Sequence, residues 1–324
     1  MILVTGGTGF LGSYILRELI QQGQSVKAIR RANSSMQLVN DIADQIEWVE
    51  ADIMDVPALT DAMQGIKQVY HAAAMVSFEP DQRYQLLHVN VQGTANVVNA
   101  ALEAGVEKLA YISSIAALGR NADNDKLINE LTMWEDNPAN TGYAISKMLG
   151  EREVWRGVAE GLNAVVVNPG MILGSGDWNS GTAAFFNTIK NGLKYYTNGM
   201  NGFVGVDDVA KITVQLMQSE IVNERYVLVE GNYSYKQLFE WISESIQAKA
   251  PYIEAKPWMS ELVWRAAALR RRLTGKPSVI TKETAANAAL VCKYDNSKIK
   301  QALDFQFTPI KEVVAQTGKA YLAR

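Results

Sequence analysis

Cysteine, histidine, long apolar runs and an excess of positive charge are all scarce in this chain, and each scarcity excludes something. Cys292 is the only cysteine among 324 residues. No intrachain disulfide can form, and a reducing compartment is expected. His71 and His88 are the only histidines, so neither a structural zinc nor another multi-histidine metal site is expected. No apolar run reaches the roughly 18 residues that would suggest a spanning helix. Lys and Arg number 31 against 34 Asp and Glu, a formal net charge of -3. Neutralising a polyanion needs a concentrated basic face, so nucleic acid is not an expected partner. The one dense basic run, Arg270-Arg271-Arg272, reads as a solvated helix end. Met1 leads directly into Ile2-Leu3-Val4, read as a first strand. No cleaved leader is therefore expected, and the expected setting is cytoplasmic.

The chain has 48% hydrophobic and 20% charged residues, which is ordinary for a soluble protein with a full-sized core. Its first half alternates apolar runs with helical stretches. Strands are expected at Ile2–Thr5, Ser25–Ile29, Ile46–Glu50, Gln68–Ala72, Leu109–Ser113 and Ala164–Asn168. Helices are expected at Phe10–Gln22, Asp81–Ala104 and Gly142–Glu160. Most of the strand runs are continuously apolar, as strands covered on both faces are. The alternation predicts an α/β fold, a doubly wound parallel sheet with right-handed crossovers. After Pro169-Gly170 the rhythm changes. Residues 174–202 are rich in Gly and Asn, with a short helix expected at Thr182–Lys190. A helix at Asp207–Gln218 and a strand at Tyr226–Val229 follow. The remainder reads as helical, at Lys236–Gln247, Trp258–Leu273, Thr281–Val291 and Pro309–Leu322. The division predicted is a nucleotide-binding domain of residues 1–170 plus about 203–230, and a smaller, mostly helical substrate domain of about 171–202 plus 231–324. Ligands of such sheets bind outside the carboxyl ends of the strands.

Thr5-Gly6-Gly7-Thr8-Gly9-Phe10-Leu11-Gly12 joins the first strand to the first helix. Glycines at this spacing permit a tight turn, close approach of backbone N–H groups to a pyrophosphate, and close helix–strand packing. The helix N-terminus adds free N–H groups and partial positive charge. In this strand–turn–helix setting the pattern points to a dinucleotide, with Gly6, Gly9, Phe10, Leu11 and Gly12 in contact with it. The end of the second strand bears on which dinucleotide. A carboxylate there would bind a ribose 2′-hydroxyl, whereas arginine accommodates a 2′-phosphate. Here Arg30-Arg31 follows the strand, and no carboxylate occurs before Asp41. These donors favour NADP, with NAD as the alternative. Asp52 and Ile53 are expected against the adenine.

Tyr143 and Lys147 stand at i and i+4, on one face of a helix. Tyrosine ordinarily has a pKa near 10, and a lysine cation close by lowers it by about 1–3. A hydroxyl that holds the reacting oxygen is expected at the end of a neighbouring strand. Ser114 is the choice, with Ser113 turned into the fold.

With these motifs, the chain resembles the extended short-chain dehydrogenase/reductase family, also called the NAD-dependent epimerase/dehydratase family. The landmarks occur in order: Thr5–Gly12, Asp52-Ile53, His71-Ala72-Ala73-Ala74, Asn90-Val91-Gln92-Gly93-Thr94, Ser113-Ser114, Tyr143–Lys147, Pro169-Gly170, Val206-Asp207-Asp208-Val209-Ala210 and Phe307-x-Pro309. The resemblance implies that Tyr143 is the general acid/base and that Ser114 orients the substrate oxygen. It implies that Lys147 binds the nicotinamide ribose and lowers the tyrosine pKa. Ala72, Ala73 and Ala74 would line the cofactor and Asn90 would lie near its nicotinamide end. Pro169, Gly170, Met171 and Ile172 would back the nicotinamide ring. His71 and His88 read as structural. A homodimer through the helices matching Asp81–Ala104 and Gly142–Glu160 is also implied.

Within that family the chain departs from the nucleotide-sugar pattern. Asn168-Pro169 stands where Arg-Pro is usual, and Gly199-Met200-Asn201-Gly202-Phe203 where an Arg-Asp-Phe run is usual. The arginines that help hold a diphosphate are missing. The chain looks closer to the dihydroflavonol reductase and hydroxysteroid dehydrogenase branch. The expected function is hydride transfer between a nicotinamide and a carbonyl or secondary alcohol of a small, fairly apolar substrate. The alternatives are a nucleotide-sugar epimerase or dehydratase with retained NAD, and a non-catalytic cofactor-binding regulator. Trp258, Met259, Leu262, Val263 and Trp264 could form an apolar wall over the substrate.

Overall fold

A computed structural model describes residues 1–119, 126–137, 140–256, 258–259, 264–265 and 287–324. Its centre is a seven-stranded sheet, parallel throughout. The strands are β1 (Ile2–Thr5), β2 (Val26–Arg30), β3 (Glu47–Glu50), β4 (Gln68–His71), β5 (Lys108–Ile112), β6 (Ala164–Pro169) and β10 (Glu224–Leu228). Their spatial order is β3-β2-β1-β4-β5-β6-β10. Each expected strand is present, its ends shifted by two residues at most.

The apolar runs have a direct explanation. Ile2 and Val4 of β1 pack into one core with α1 (Phe10–Gln21) and α7 (Val206–Gln218). Leu3, between them, packs on the opposite face with α2 (Val56–Met63), α4 (Gly93–Glu103) and α5 (Gly142–Ala159). β5 and β6 alternate in the same way, Ala110, Val165 and Val167 to one side and Leu109, Tyr111 and Val166 to the other. With both faces covered, most positions are apolar and the period of two fades from the sequence; the buried polar exceptions Thr5, His71, Lys108 and Asn168 are each hydrogen-bonded.

The order reverses between β1 and β4, where crossovers leave in opposite directions and a crevice opens at the carboxyl ends. In register, Thr5 lies beside His71, His71 beside Tyr111, and Ile112 beside Val167. These four strand ends form the floor of the candidate site.

The expected helix Asp81–Ala104 is interrupted. α3 (Arg83–Leu87) runs into a π-helical turn, His88–Gln92, before α4 continues. The sequence predicts mostly loop over residues 174–202, yet a two-residue strand at Tyr195–Tyr196 and the start of another at Met200 lie within it. β7 (Met171–Leu173), β9 (Met200–Gly205) and β11 (Gly231–Ser234) make a second, three-stranded sheet. β8 (Tyr195–Tyr196) pairs with β12 (Ile253–Glu254). β9 was unreadable locally because its Met-Asn-Gly-Phe-Val-Gly run takes its order from partners β7 and β11 rather than from its own propensity.

A third core lies among α6 (Ala184–Lys190), α8 (Tyr235–Ser245) and α10 (Ile310–Leu322), around Phe186, Leu238, Ile242 and Val314. The Val-Asp-Asp landmark ties the last segment to the main sheet. Asp208 accepts the Thr308 N–H at 2.8 Å and the Thr308 hydroxyl at 3.0 Å. The short helix α9 (Ser297–Leu303) precedes that segment. Of the expected apolar wall, Leu262 and Val263 lie outside the described residues, as does Arg270-Arg271-Arg272, while Trp258 is exposed. Among the described residues no helix is long and apolar enough to cross a membrane.

Candidate active site

The glycine turn is built as a cradle. Gly6 has φ of +70°, and a Cβ there would come within 2.6 Å of the Ala73 nitrogen. A Cβ on Gly12 would lie 2.1 Å from the Gly6 carbonyl oxygen, so only glycine lets α1 start against the turn. The Gly9 N–H closes the turn on Gly6 O at 3.0 Å. α1 has neither a side-chain cap nor an acidic residue in its first turn. The N–H groups of Phe10, Leu11 and Gly12, which no helix can satisfy internally, are therefore left for an anion. The Leu11 side chain turns into the core. The cradle thus fits a dinucleotide diphosphate.

Around it, Arg30 is half-buried at the end of β2 and Arg31 is exposed. Among the described residues neither side chain is engaged in an ion pair or hydrogen bond. The nearest later carboxylate, Asp41, is held by Arg17 at 2.6 Å. Asp52 accepts the Met54 N–H at 2.9 Å, and Ile53 is buried against the Gly93 face of α4. Ala72, Ala73 and Ala74 follow β4, the first two half-buried and the third exposed.

His71 is fully buried in a hydrogen-bond chain of fixed polarity. The Thr94 hydroxyl gives its proton to Asn90 O at 2.7 Å, so it accepts from His71 Nε2–H at 3.1 Å. Nδ1 in turn accepts from the Thr5 hydroxyl at 2.7 Å, and Thr5 Oγ1 accepts the Ala73 N–H at 3.2 Å. This network assigns the Nε2–H tautomer. Burial, with the Lys147 charge adding to it, pushes the ring down to about 3. The unfolded ring binds a proton below about 6.5 and the folded one does not, so stability is present above that pH and declines as pH falls towards 3. Between pH 6 and 4, His71→Asn is expected to remove about 1.4 kcal/mol of this loss per pH unit. Urea unfolding of both proteins at several pH values measures it, and parallel curves would refute it.

Tyr143 and Lys147 lie in the first turns of α5, which Thr141 caps by accepting the Ala144 N–H at 3.0 Å. The Lys147 ammonium donates to Ile112 O at 2.6 Å and sits 4.7 Å from the centre of the Tyr111 ring. Burial lowers it to about 8, with Glu151 acting the other way. Burial pushes the Tyr143 phenol above its ordinary value, and a hydrogen bond with Ser114 offsets part of this. The expected lowering of the phenol by Lys147 does not appear in the protein alone, because the ammonium is turned to Ile112 and the Tyr111 ring. Ser114, at the end of β5, also accepts the Ala116 N–H at 3.1 Å. Ser113 points inward, as expected, and donates to Glu151 at 2.8 Å.

Asn90 lies in the π-helical turn and is buried. Its amide takes the Met75 N–H at 2.7 Å and donates to Met75 O and the Ser146 hydroxyl, both at 2.9 Å. It clamps the segment after β4 to α5, and its side-chain amide hydrogens are both spent on protein partners. Pro169 is buried at the end of β6, while Met171 and Ile172 are half-buried. Gly170 is needed where the chain leaves the main sheet, since a Cβ there would lie 2.5 Å from Gly202 O. Sequence reasoning missed Glu151 and Arg225, which meet beneath this site at 2.9 Å.

Fold and site together define an NAD(P)-dependent enzyme of the extended short-chain dehydrogenase/reductase type. The chain belongs to the NAD dependent epimerase/dehydratase family, which matches residues 2–228. It is 29% identical over 259 residues to sterol demethylase protein B of Methylococcus capsulatus, covering 79% of this chain and 77% of that protein. It is also 29% identical over 319 residues to a putative dihydroflavonol 4-reductase of Synechocystis, covering 96% and 92%. Among solved structures it is similar to gox2253, with TM-score 0.85 and 28% identity over 100% of this chain and 98% of that one.

Proposed function

We propose that the protein is an NADP-preferring oxidoreductase acting on a carbonyl or secondary alcohol of a small, fairly apolar substrate. The observation that carries this reading is the grouping of Ser114, Tyr143 and Lys147 at the carboxyl ends of the strands beside the glycine cradle. The bound cofactor supplies the hydride. In reduction Ser114 and Tyr143 hold the carbonyl oxygen, and Tyr143 donates the proton that makes it a hydroxyl. A phenol kept protonated by burial suits that direction. Lys147 holds the nicotinamide ribose. Residues 171–202 and 231–324 supply the substrate side, and the protein works as a cytoplasmic homodimer.

The packing around β9 favours a reductase over a nucleotide-sugar epimerase. A Cβ on Gly199 would lie 2.2 Å from Ala288 O, and one on Gly202 would lie 2.7 Å from Val229. At these two positions there is no room for the cationic side chains that would hold a diphosphate. Mass spectrometry of dinucleotide released on denaturation tests the point. Stoichiometric, tightly retained NAD would overturn the reductase reading, whereas an empty, exchangeable site that prefers NADPH supports it. Replacing both Arg30 and Arg31 by Ala is expected to weaken NADPH binding about 10–100-fold, with NADH changed little. Equal effects on the two cofactors in a fluorescence titration would remove the arginines from the 2′-phosphate site.

A further inference from the structure

We propose that Glu151 is a positioning residue for the Ser114–Tyr143–Lys147 group: with Arg225, Asn168 and Ser113 it fixes the strand end that carries Ser114 and keeps the Lys147 ammonium charged. The proposal rests on the reading of Lys147 as the ribose donor.

Glu151 stands one helical turn beyond Lys147 on α5 and is only 3% exposed. A carboxylate is costly to bury unless its oxygens are satisfied, and here four donors converge on it. Oε2 accepts from the Ser113 hydroxyl at 2.8 Å and from Asn168 Nδ2 at 3.0 Å. Oε1 accepts from Arg225 Nη1 at 2.9 Å and from Trp155 Nε1 at 3.3 Å. Asn168 spends its second amide hydrogen on Ser114 O, also at 3.0 Å. Glu151 therefore grips Ser113 through its hydroxyl and Ser114 through Asn168. This is the chain segment whose Ile112 carbonyl receives Lys147. Arg225 comes from β10 and also donates to the carbonyl of Glu130, so the network reaches the 126–137 segment as well.

Among the described residues, the titratable groups that face Lys147 come from α5, β4 and β5. Tyr143 lies one turn before it and Glu151 one turn after it, Tyr111 faces it from β5, and His71 from β4. His71 is neutral at working pH and both phenols are protonated, so Glu151 is the anion that supports the ammonium. Arg225 tempers that anion from the far side. Removing each charge must therefore move Lys147 in opposite directions, which a purely structural role does not require.

The test is the dissociation constant of NADPH, followed by its fluorescence from pH 6 to 10 in the full-length protein. Binding to the unaltered protein should weaken roughly fivefold as Lys147 deprotonates near pH 8, the difference between a charged and a neutral donor. Glu151→Gln should move that transition down by at least about one pH unit. Arg225→Met should move it up, and Arg225→Lys should leave it in place. Lys147→Met should abolish it. If Glu151→Gln does not fold by circular dichroism, the two Arg225 variants decide. If NADPH fails to bind, or Lys147→Met keeps the transition, the reading of Lys147 falls. If Lys147→Met abolishes the transition while Glu151→Gln and Arg225→Met leave its midpoint unmoved, the role of Glu151 is overturned and that of Lys147 stands.

Discussion

Tyr143→Phe is expected to lower turnover by about 10³–10⁴ while leaving NADPH affinity within about threefold of the unaltered protein. The phenol is half-buried at the start of α5, where its ring packs 5.8 Å from that of Phe78. Phenylalanine fills the same space, so the ring contact and the helix start survive. What disappears is the one hydroxyl that both bonds with Ser114 and can deliver a proton to a substrate oxygen. Water in the cleft is a poor replacement, because general acid catalysis depends on a donor held in position. Stopped-flow or steady-state turnover of an aldehyde that the unaltered protein reduces, set beside a fluorescence titration of NADPH, separates the two effects. Turnover unchanged within a factor of two would remove Tyr143 from the chemistry. Equal losses of binding and turnover would make it a cofactor ligand instead.

Gly12→Ala is expected to weaken NADPH binding by about 100-fold and to lower the melting temperature by several degrees. The added methyl would sit 2.1 Å from Gly6 O, a backbone atom that cannot swing aside as a side chain can. Either α1 moves away from the turn or the turn opens. Both displace the N–H groups aimed at the diphosphate, and the first also loosens Ile15, Leu16 and Leu19 in the core. Gly9→Ala provides the internal comparison, since its methyl would meet Gly6 O only at 3.2 Å. The expected order of damage is Gly12 above Gly9, read by calorimetry and titration on the same samples. Equal affinities for NADPH in both variants would show that the cradle is not where the cofactor is held.

Several parts of this molecule are legible in its sequence. The central strands of the main sheet were readable because burial on both faces leaves β1, β5 and β6 as mostly apolar runs, whereas the edge strands β3 and β10 carry exposed charged residues. The Tyr143–Lys147 pair was readable because a spacing of four residues puts two side chains on one face of any helix. The inward turn of Ser113 was legible as well. β7, β9 and β11 were not legible, since β7 and β11 are short and the Gly- and Asn-containing β9 takes its order from partners elsewhere in the chain. The π-helical turn at His88–Gln92 leaves no mark in hydrophobic periodicity. The commitment of the Asn90 amide to Met75 and Ser146 is equally invisible in the sequence, because those partners lie 15 and 56 residues away.

The sequence by itself determined what depends on local spacing: the alternation of strand and helix, the glycines that let α1 start tight against the turn, and the phenol and ammonium one helical turn apart. Tertiary structure alone decided the protonation states and the company those groups keep. Glu151, Asn168 and Arg225 come from a helix and two strands, and nothing in their separate neighbourhoods announces that they meet. The Lys147 ammonium could have faced the phenol, yet the fold offers it the Ile112 carbonyl and the Tyr111 ring. Motifs are written in local geometry, whereas pKa values and buried networks follow from desolvation and from side chains that converge only when the chain has folded.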